Sequence, residues 1–489
     1  MERQKIRNHP SVVIEGVAQV FAIMLLMLLT TAPFWAVEVY LGIGALLGAA
    51  TLLLLLRWRR TTFQLNDCEM VVERNTVFKM KKSIPYSKIA SINVDRSLMN
   101  RVFGTTKVKV NVNTSKNATI PEATMVLKKD LADRIGEDLS RHIRRREQVV
   151  EEKAVSVIKI EPWDVLIHGF FSQPTLQTIS GLFFLAYSIW EQFMSANDIT
   201  SGQGFVSLLM FFLVTVFPTV SSMVHYANFK VYRIDDTIYL QHGLVSTYNT
   251  SFEVARINAV KVRSTLVSRM LGRSYIEAEV IGLGIGKDTK RPLLCLLKKD
   301  AVIDAALREL VPEFIYEREV MRQPKAAKKV IAIKAAIYSS VTVLCSVYLN
   351  HVIHVMTEGK GLDGFGSMLA DFLFIIVGTM ILVGIALWAV KTYRIKELTV
   401  GDDFFTFVNG VMDRTVITIS YDKVQIVNIS KGPLARRFGL AVGSVSLLAS
   451  VGGSTVFSGY FPEKHLNRIY ELVMERLSDG KYDYRASRV

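Results

Sequence analysis

One stretch is written three times along this chain of 489 residues, and a chain that repeats itself at such a spacing is constrained to fold as three like units. SIPYSKIASINVDRSLMNRVFG (Ser83 to Gly104) returns as TSFEVARINAVKVRSTLVSRMLG (Thr250 to Gly272) and as TISYDKVQIVNISKGPLARRFG (Thr418 to Gly439). Lys88, Arg256 and Lys423 stand in register, followed thirteen residues on by Arg101, Arg269 and Arg436, and three later by Gly104, Gly272 and Gly439. From Lys88 to Arg256 is 168 residues and from Arg256 to Lys423 is 167, the size of a domain with its connections and far longer than a solenoid repeat.

Each copy follows a pair of apolar runs. Half of the residues are apolar, yet the net charge is +15, which is compatible with lipid only if the two kinds of residue are segregated. They are: apolar runs at about 12–32 and 34–56, 176–194 and 205–224, and 330–356 and 368–390 each suit a helix crossing a ~30 Å hydrocarbon core. The first run is too long, and too promptly followed by a second, for a cleaved signal peptide. Lys and Arg crowd the long segments (Arg57, Arg59 and Arg60 around Trp58; Arg144, Arg145 and Arg146; 322–329; 391–396), whereas the short turns carry Lys360 alone. The positive-inside rule therefore predicts a multi-pass plasma-membrane protein with both termini and three β domains cytoplasmic. The expected parts are hairpin 1 (1–60), β domain 1 (61–145), a basic linker (146–175), hairpin 2 (176–226), β domain 2 (227–315), a second basic linker (316–329), hairpin 3 (330–391), β domain 3 (392–480) and a tail (481–489).

The β blocks alternate short β-branched and aromatic runs with polar turns, as antiparallel strands do. Asn75, Gly243 and Gly410 fall at one equivalent turn, where a left-handed residue is expected. Lys107 to Val112 alternates polar and apolar like a half-buried strand, with YIEAEV and SVSLLA as its counterparts. Helical spacing then closes each block at Asp130 to Leu139, Asp300 to Leu310 and Glu463 to Leu477. The first linker is charged from Arg141 to Lys153 and then apolar, with Trp163, Phe170 and Phe171; this suits either an interfacial segment or an ordinary packed linker.

The candidate site residues are basic. Lys88, Arg256, Lys423, Arg101, Arg269 and Arg436 could meet anionic lipid or a partner, each charge near such a surface being worth about 1 kcal/mol, or could simply shape the domain. Arg57, Trp58, Arg59, Arg60 and Arg144 to Arg146 suit contact with anionic headgroups and also set orientation. Glu38, Glu191 and Asp371 are polar residues near expected outer span ends. His351 and His354 share a helix face without an obvious third ligand, so no metal is expected, and Cys68, Cys295 and Cys345 have no disulfide or zinc spacing. GxSxG, HExxH and Walker patterns are absent, and IGLGIG (Ile281 to Gly286) lacks dinucleotide-loop spacing. Neither an enzymatic role, a cofactor nor a nucleic-acid partner is expected.

The signature [ST]-I-P-x-x-[KR]-I-x-x-[IV] followed by R-x-F-G, behind a helical hairpin, resembles the bacterial pleckstrin-homology-like family of the second type. Three such units look like its multipass, YdbT-like members, whose smaller relatives carry one unit. The second and third copies depart from Ile-Pro, with Phe252-Glu253 and Ile419-Ser420. The resemblance implies an α+β membrane protein: three transmembrane hairpins, six spans, each pair followed by a cytoplasmic domain of two roughly orthogonal antiparallel sheets plugged by a C-terminal helix. It also implies a scaffold for protein partners or anionic lipid in envelope maintenance or resistance to membrane-active agents, with a single-unit relative or a second copy as partner. The competing expectation is a transporter or lipid exporter whose paired helices form the pathway.

Overall fold

A long apolar run becomes a helix because a helix satisfies its own N–H and C=O groups where water is absent. In the computed structural model, which describes residues 5–31, 37–76, 79–112, 121–135, 160–194, 202–281, 291–317, 319–357, 364–448 and 453–479, those runs are helices packed in consecutive pairs. The first unit comprises β1 (Lys5–Ile6), α1 (Ser11–Thr31), α2 (Val37–Arg59), β2 (Thr61–Leu65), β3 (Glu69–Asn75), β4 (Lys79–Pro85), β5 (Ile89–Arg96), α3 (Leu98–Val102), β6 (Thr105–Val112), β7 (Ala123–Lys128) and a helix at 129–135. The second comprises α4 (Pro162–Phe171), α5 (Thr175–Met194), α6 (Gly202–Phe211), α7 (Phe217–Tyr226), β8 (Lys230–Ile234), β9 (Thr237–His242), β10 (Thr247–Glu253), β11 (Ile257–Ser264), α8 (Leu266–Met270), β12 (Arg273–Val280), β13 (Leu293–Lys299) and α9 (Asp300–Leu310). The third comprises β14 (Met321–Arg322), α10 (Lys325–Thr357), α11 (Gly364–Ile395), β15 (Glu397–Val400), β16 (Phe404–Gly410), β17 (Arg414–Ser420), β18 (Val424–Ser430), α12 (Pro433–Arg437), β19 (Leu440–Leu448), β20 (Gly453–Pro462) and α13 (Glu463–Ser478).

Among the described residues, three stretches are long and apolar enough to cross a membrane by length and composition: Val206–Tyr226, Lys325–Val352 and Phe374–Ile395. The other three expected spans coincide with α1, α2 and α5, of 21, 23 and 20 residues. A π turn, Phe212–Val216, joins α6 to α7 directly ahead of Pro218, which has no N–H to continue the ladder.

Two short strands tie the helix pairs down. β1 precedes α1 and pairs with β2, which follows α2 (Ile6 opposite Phe63); β14 precedes α10 and pairs with β15, which follows α11 (Met321 opposite Leu398). Both ends of each pair are thereby held on one sheet. In the second unit α4 does comparable work, seating Val165 and His168 in the domain while Trp163 and Phe170 remain exposed.

The sheets do not stop at the unit boundaries. A four-stranded sheet runs β1-β2-β3-β4, a six-stranded one β7-β6-β5-β10-β9-β8, a seven-stranded one β13-β12-β11-β17-β16-β15-β14, and a three-stranded one β18-β19-β20. The second sheet of one unit is thus continued, antiparallel, by the first sheet of the next, through β5 with β10 and β11 with β17. Each unit keeps its own apolar core, around Met70 and Met125, around Ile238 and Leu294, and around Phe405 and Tyr421. Ala259 of the second unit belongs to the core of the third.

Two expectations need correction. Gly243 and Gly410 take φ of 110° and 127°, where an added Cβ would collide with Ser246 O and Asp413 O, but Asn75 is not left-handed. That region is accessible in practice to glycine only, so Asn is no substitute and the first turn adopts another geometry. The strands expected to be half-buried are buried on both faces in the first two units: Lys109 and Asn111, and Tyr275 and Glu279, are covered.

Candidate functional site

The repeated stretch resolves into two separate places. Lys88, Arg256 and Lys423 each end a 3-10 turn (Tyr86–Lys88, Val254–Arg256, Tyr421–Lys423), and Arg101, Arg269 and Arg436 lie in α3, α8 and α12 beyond an intervening strand. Seven or eight extended residues put the two rows roughly 25 Å apart, at opposite ends of β5, β11 and β18. Lys88 is exposed, Arg256 bonds Glu253 at 3.3 Å, and burial lowers the Lys423 ammonium, opposed by Asp422. The first and third turns are pinned by tyrosines, with the Tyr86 hydroxyl donating to Asn66 O at 2.7 Å and that of Tyr421 to Gly401 O at 2.9 Å.

The second row sits where helix pairs leave the domains. Ser97 accepts from Asn100 N, and Thr265 from Ser268 N with Ser268 reciprocating, so α3 and α8 start with side-chain caps; α12 starts with Pro433 instead. All three end on a left-handed glycine, Gly104, Gly272 and Gly439, at φ 62°, 60° and 67°. A Cβ there would meet nothing within 4 Å, so the requirement is conformational. Leu266 N donates to Thr175 Oγ1 at 3.1 Å at the start of α5, while α12 packs on Ala327 and Val330 in the first turns of α10. At the tips Val102 and Met270 are 71% and 79% exposed, beside an exposed Arg101 and a half-buried Arg269; the third copy presents exposed Arg436 and Arg437. An apolar tip beside a cation at this level can dip into a headgroup layer and hold a phosphate. The residue after each arginine was a signal the sequence offered and composition alone concealed.

At the end of α2, Arg57, Arg59 and Arg60 are exposed, and Trp58 is half-buried, donating from Nε1 to Asn8 O at 2.7 Å. Arg144, Arg145 and Arg146 lie outside the described residues, as do the side chain of Glu38 and most of IGLGIG. Glu191 is half-buried on α5. Asp371 of α11 accepts from Asn350 Nδ2 at 3.0 Å and lies 2.7 Å from His354 Nε2, both on α10. His351 is exposed. Among the described residues no three His, Cys, Asp or Glu side chains are grouped to hold a metal ion.

Sequence reasoning missed a buried charge cluster on the outward face of the second unit. Glu279, with 0% exposure, pairs through Oε1 with Lys261 Nζ and Arg291 Nε, and its Oε2 has no partner among the described residues. Burial lowers the Lys261 ammonium, and Glu279 opposes that shift. Alongside, Arg263 reaches Glu277 at 3.3 Å; burial opposes its charge, but Glu277 and Tyr275 hold it above its ordinary range. Arg263, Tyr275, Glu277 and Arg291 border a cavity of about 510 Å³, whose other wall includes His168, Ser222 and Tyr226 from α4 and α7. The third unit has Asn428, Ser430, Ser444 and Ser446 at the equivalent positions.

The family profile described as "Bacterial PH domain" matches three times, at residues 12–143, 180–310 and 362–477. A transmembrane protein YdbT of Bacillus subtilis is 20% identical over 314 residues, covering 58% of this chain and 63% of that protein. The chain thus matches somewhat less than two thirds of the relative's length. No solved structure matches.

Proposed function

This chain belongs to the bacterial PH domain family, and on that premise we propose that it is a non-enzymatic membrane scaffold: six spans in three hairpins carry a cytoplasmic platform of three PH-like units. The observation that carries this reading is the strand pairing of β5 with β10 and β11 with β17, which turns separate modules into one continuous surface beneath the helices. Its membrane-side edge presents the repeated tips with Arg101, Arg269 and Arg436, and Arg57, Arg59 and Arg60 as contacts for anionic headgroups. At the far ends of the strands, exposed Lys88 suits a protein partner, whereas Arg256 is paired with Glu253 and Lys423 is half-buried. A single-unit relative or another copy of the chain suits such a platform, and the family resemblance supports a role in envelope maintenance or in resistance to membrane-active agents.

A second reading, transport or lipid export along the paired helices, is favoured by the cluster of Asp371, His354 and Asn350 between α10 and α11. One experiment separates the two. The full chain is purified from native membranes beside a variant with Arg101, Arg269 and Arg436 changed to Gln, and co-purifying proteins and phospholipids are identified. Enrichment of an anionic phospholipid or a stoichiometric protein that falls in the variant supports the scaffold. Absence of either, with solute or lipid flux in proteoliposomes that Asp371→Asn abolishes, replaces it with transport.

A further inference from the structure

The two internal joints share one register. Arg96 stands opposite Thr247 and Ser264 opposite Arg414, in each case the residue eight past the basic position of one copy facing the residue nine before it in the next. A chain of three units joined in this way ends with one half-joint at each end. Among the described residues β4, the counterpart of β10 and β17, pairs only with β3, and β18, the counterpart of β5 and β11, pairs only with β19.

The half-joint on β18 is built like the filled ones but is bare. Ile426 is 60% exposed at the position where Ala259 is wholly buried against the next unit, and Phe457, on β20 two strands away in the same sheet, is 56% exposed. Val424 to Ser430 carries no charge, whereas unpaired edge strands are ordinarily blunted by charge. β4 carries Lys79, Lys81 and Lys82, of which Lys81 pairs with Glu73 at 3.5 Å and Lys82 with Glu122.

We propose that β18 receives β4 of a second copy of this chain, antiparallel and in the register of the internal joints, so that the chains assemble head to tail. The shared register places Ile426 opposite Ile84, a core residue of the first unit, Asn428 opposite Lys82, and Lys431 opposite Lys79. Ile426 thereby extends the core of the incoming first unit, just as Ala259 extends that of the third. The facing ammonium groups of Lys79 and Lys431 weaken the contact, though Glu463 lies 2.5 Å from Lys431. Such a heterologous contact closes into a ring or continues as a row, and it rests on the reading of the joined units as a membrane platform.

The test uses the full chain in membranes, with Cys68 and Cys345 changed to Ser. Asn428→Cys on one tagged copy and Lys82→Cys on another are expected to form a disulfide-linked dimer on mild oxidation. Lys81→Cys, on the opposite face of β4, serves as the register control. Ile426→Glu, exposed in the single chain and so compatible with its folding, should lower the yield about tenfold, and Lys79→Glu should raise it several-fold. A dimer no more abundant than with Lys81→Cys overturns the proposal. So does equal cross-linking of Asn428→Cys copies to one another without a mixed product, which would mean that β18 meets β18. Retained lipid or protein enrichment alongside a failed cross-link removes this inference alone; cross-linking without such enrichment removes the scaffold reading and leaves the assembly.

Discussion

Ala259 and Ile419 lie directly opposite each other in adjacent strands, each with 0% exposure, although one belongs to the second unit and the other to the third. Both small size and lack of charge matter at Ala259, because the space there is shared by two sheets and by the third unit's core. The unit boundary in sequence is therefore an interior position in the fold.

Ala259→Asp should accordingly destabilise the purified chain by about 3 kcal/mol or more, since it buries a second carboxylate directly opposite Glu279, whose two cations are already engaged. Ala259→Ser, nearly isosteric, should cost much less. Thermal unfolding in detergent reads the difference, and an unchanged midpoint for the Asp variant would show that the joint between β11 and β17 does not form.

Removing the anion at Glu279 strands two cations. Glu279→Ala is expected to cost about 3–5 kcal/mol, because Lys261 and Arg291 remain in a covered site without their counter-charge. Glu279→Gln keeps an acceptor and should lose less. Denaturant midpoints of the two variants, measured under one condition, rank them; equal losses would show that charge is not what matters there.

Burial pushes the Cys295 thiol up to about 12 from an ordinary 9.0, with Lys298 opposing the shift. The unfolded thiol therefore gives up its proton first, so this group's stabilisation is fully present below pH 9 and declines as the pH rises from 9 towards 12. Each pH unit in that window weakens folding by up to about 1.4 kcal/mol for the one group. Tyr86 and Tyr275, both raised to about 12 chiefly by burial, add to the decline above pH 10. Cys295→Val should flatten the denaturation profile between pH 9 and 10; a wild-type slope in that variant would refute the assignment.

Glycines of the repeat differ in what they tolerate. Gly104→Ala meets open space and should cost about 1–2 kcal/mol for the left-handed backbone alone. Gly410→Ala adds a collision with Asp413 O and should cost clearly more, or force the β16 to β17 turn to rearrange. Paired thermal melts decide, and equal shifts would mean that the turn relaxes freely.

Much of the unit was legible because it depends on local rules. Period-two alternation marked the strands, and Gly104, Gly272 and Gly439 marked a left-handed helix end that only the backbone demands. The faces were not legible. In the second unit, Lys261 and Glu279 alternate with apolar neighbours as solvent-facing residues would, yet both are buried where β11 is joined by β17 of the next unit. A strand's own sequence records its pairing with its hairpin partner; it carries no comparable mark of a partner supplied by the next unit. For the same reason the exposed tips Val102 and Met270 acquire meaning only beside the start of a helix pair. The candidate basic residues were found by recurrence, and recurrence could not say that they form two rows a strand's length apart.

The short strands β1 and β14 bear on how the chain enters its membrane. Each is synthesised before a helix pair and can find its partner only after that pair is complete. On the proposed reading of both pairs as membrane hairpins, failure of one helix to enter the bilayer would leave the two strands on opposite sides, and the sheet could not close. Completion of the sheet thus reports that insertion went correctly, and a misinserted chain is left with an open, unpaired edge that a quality-control protease could recognise.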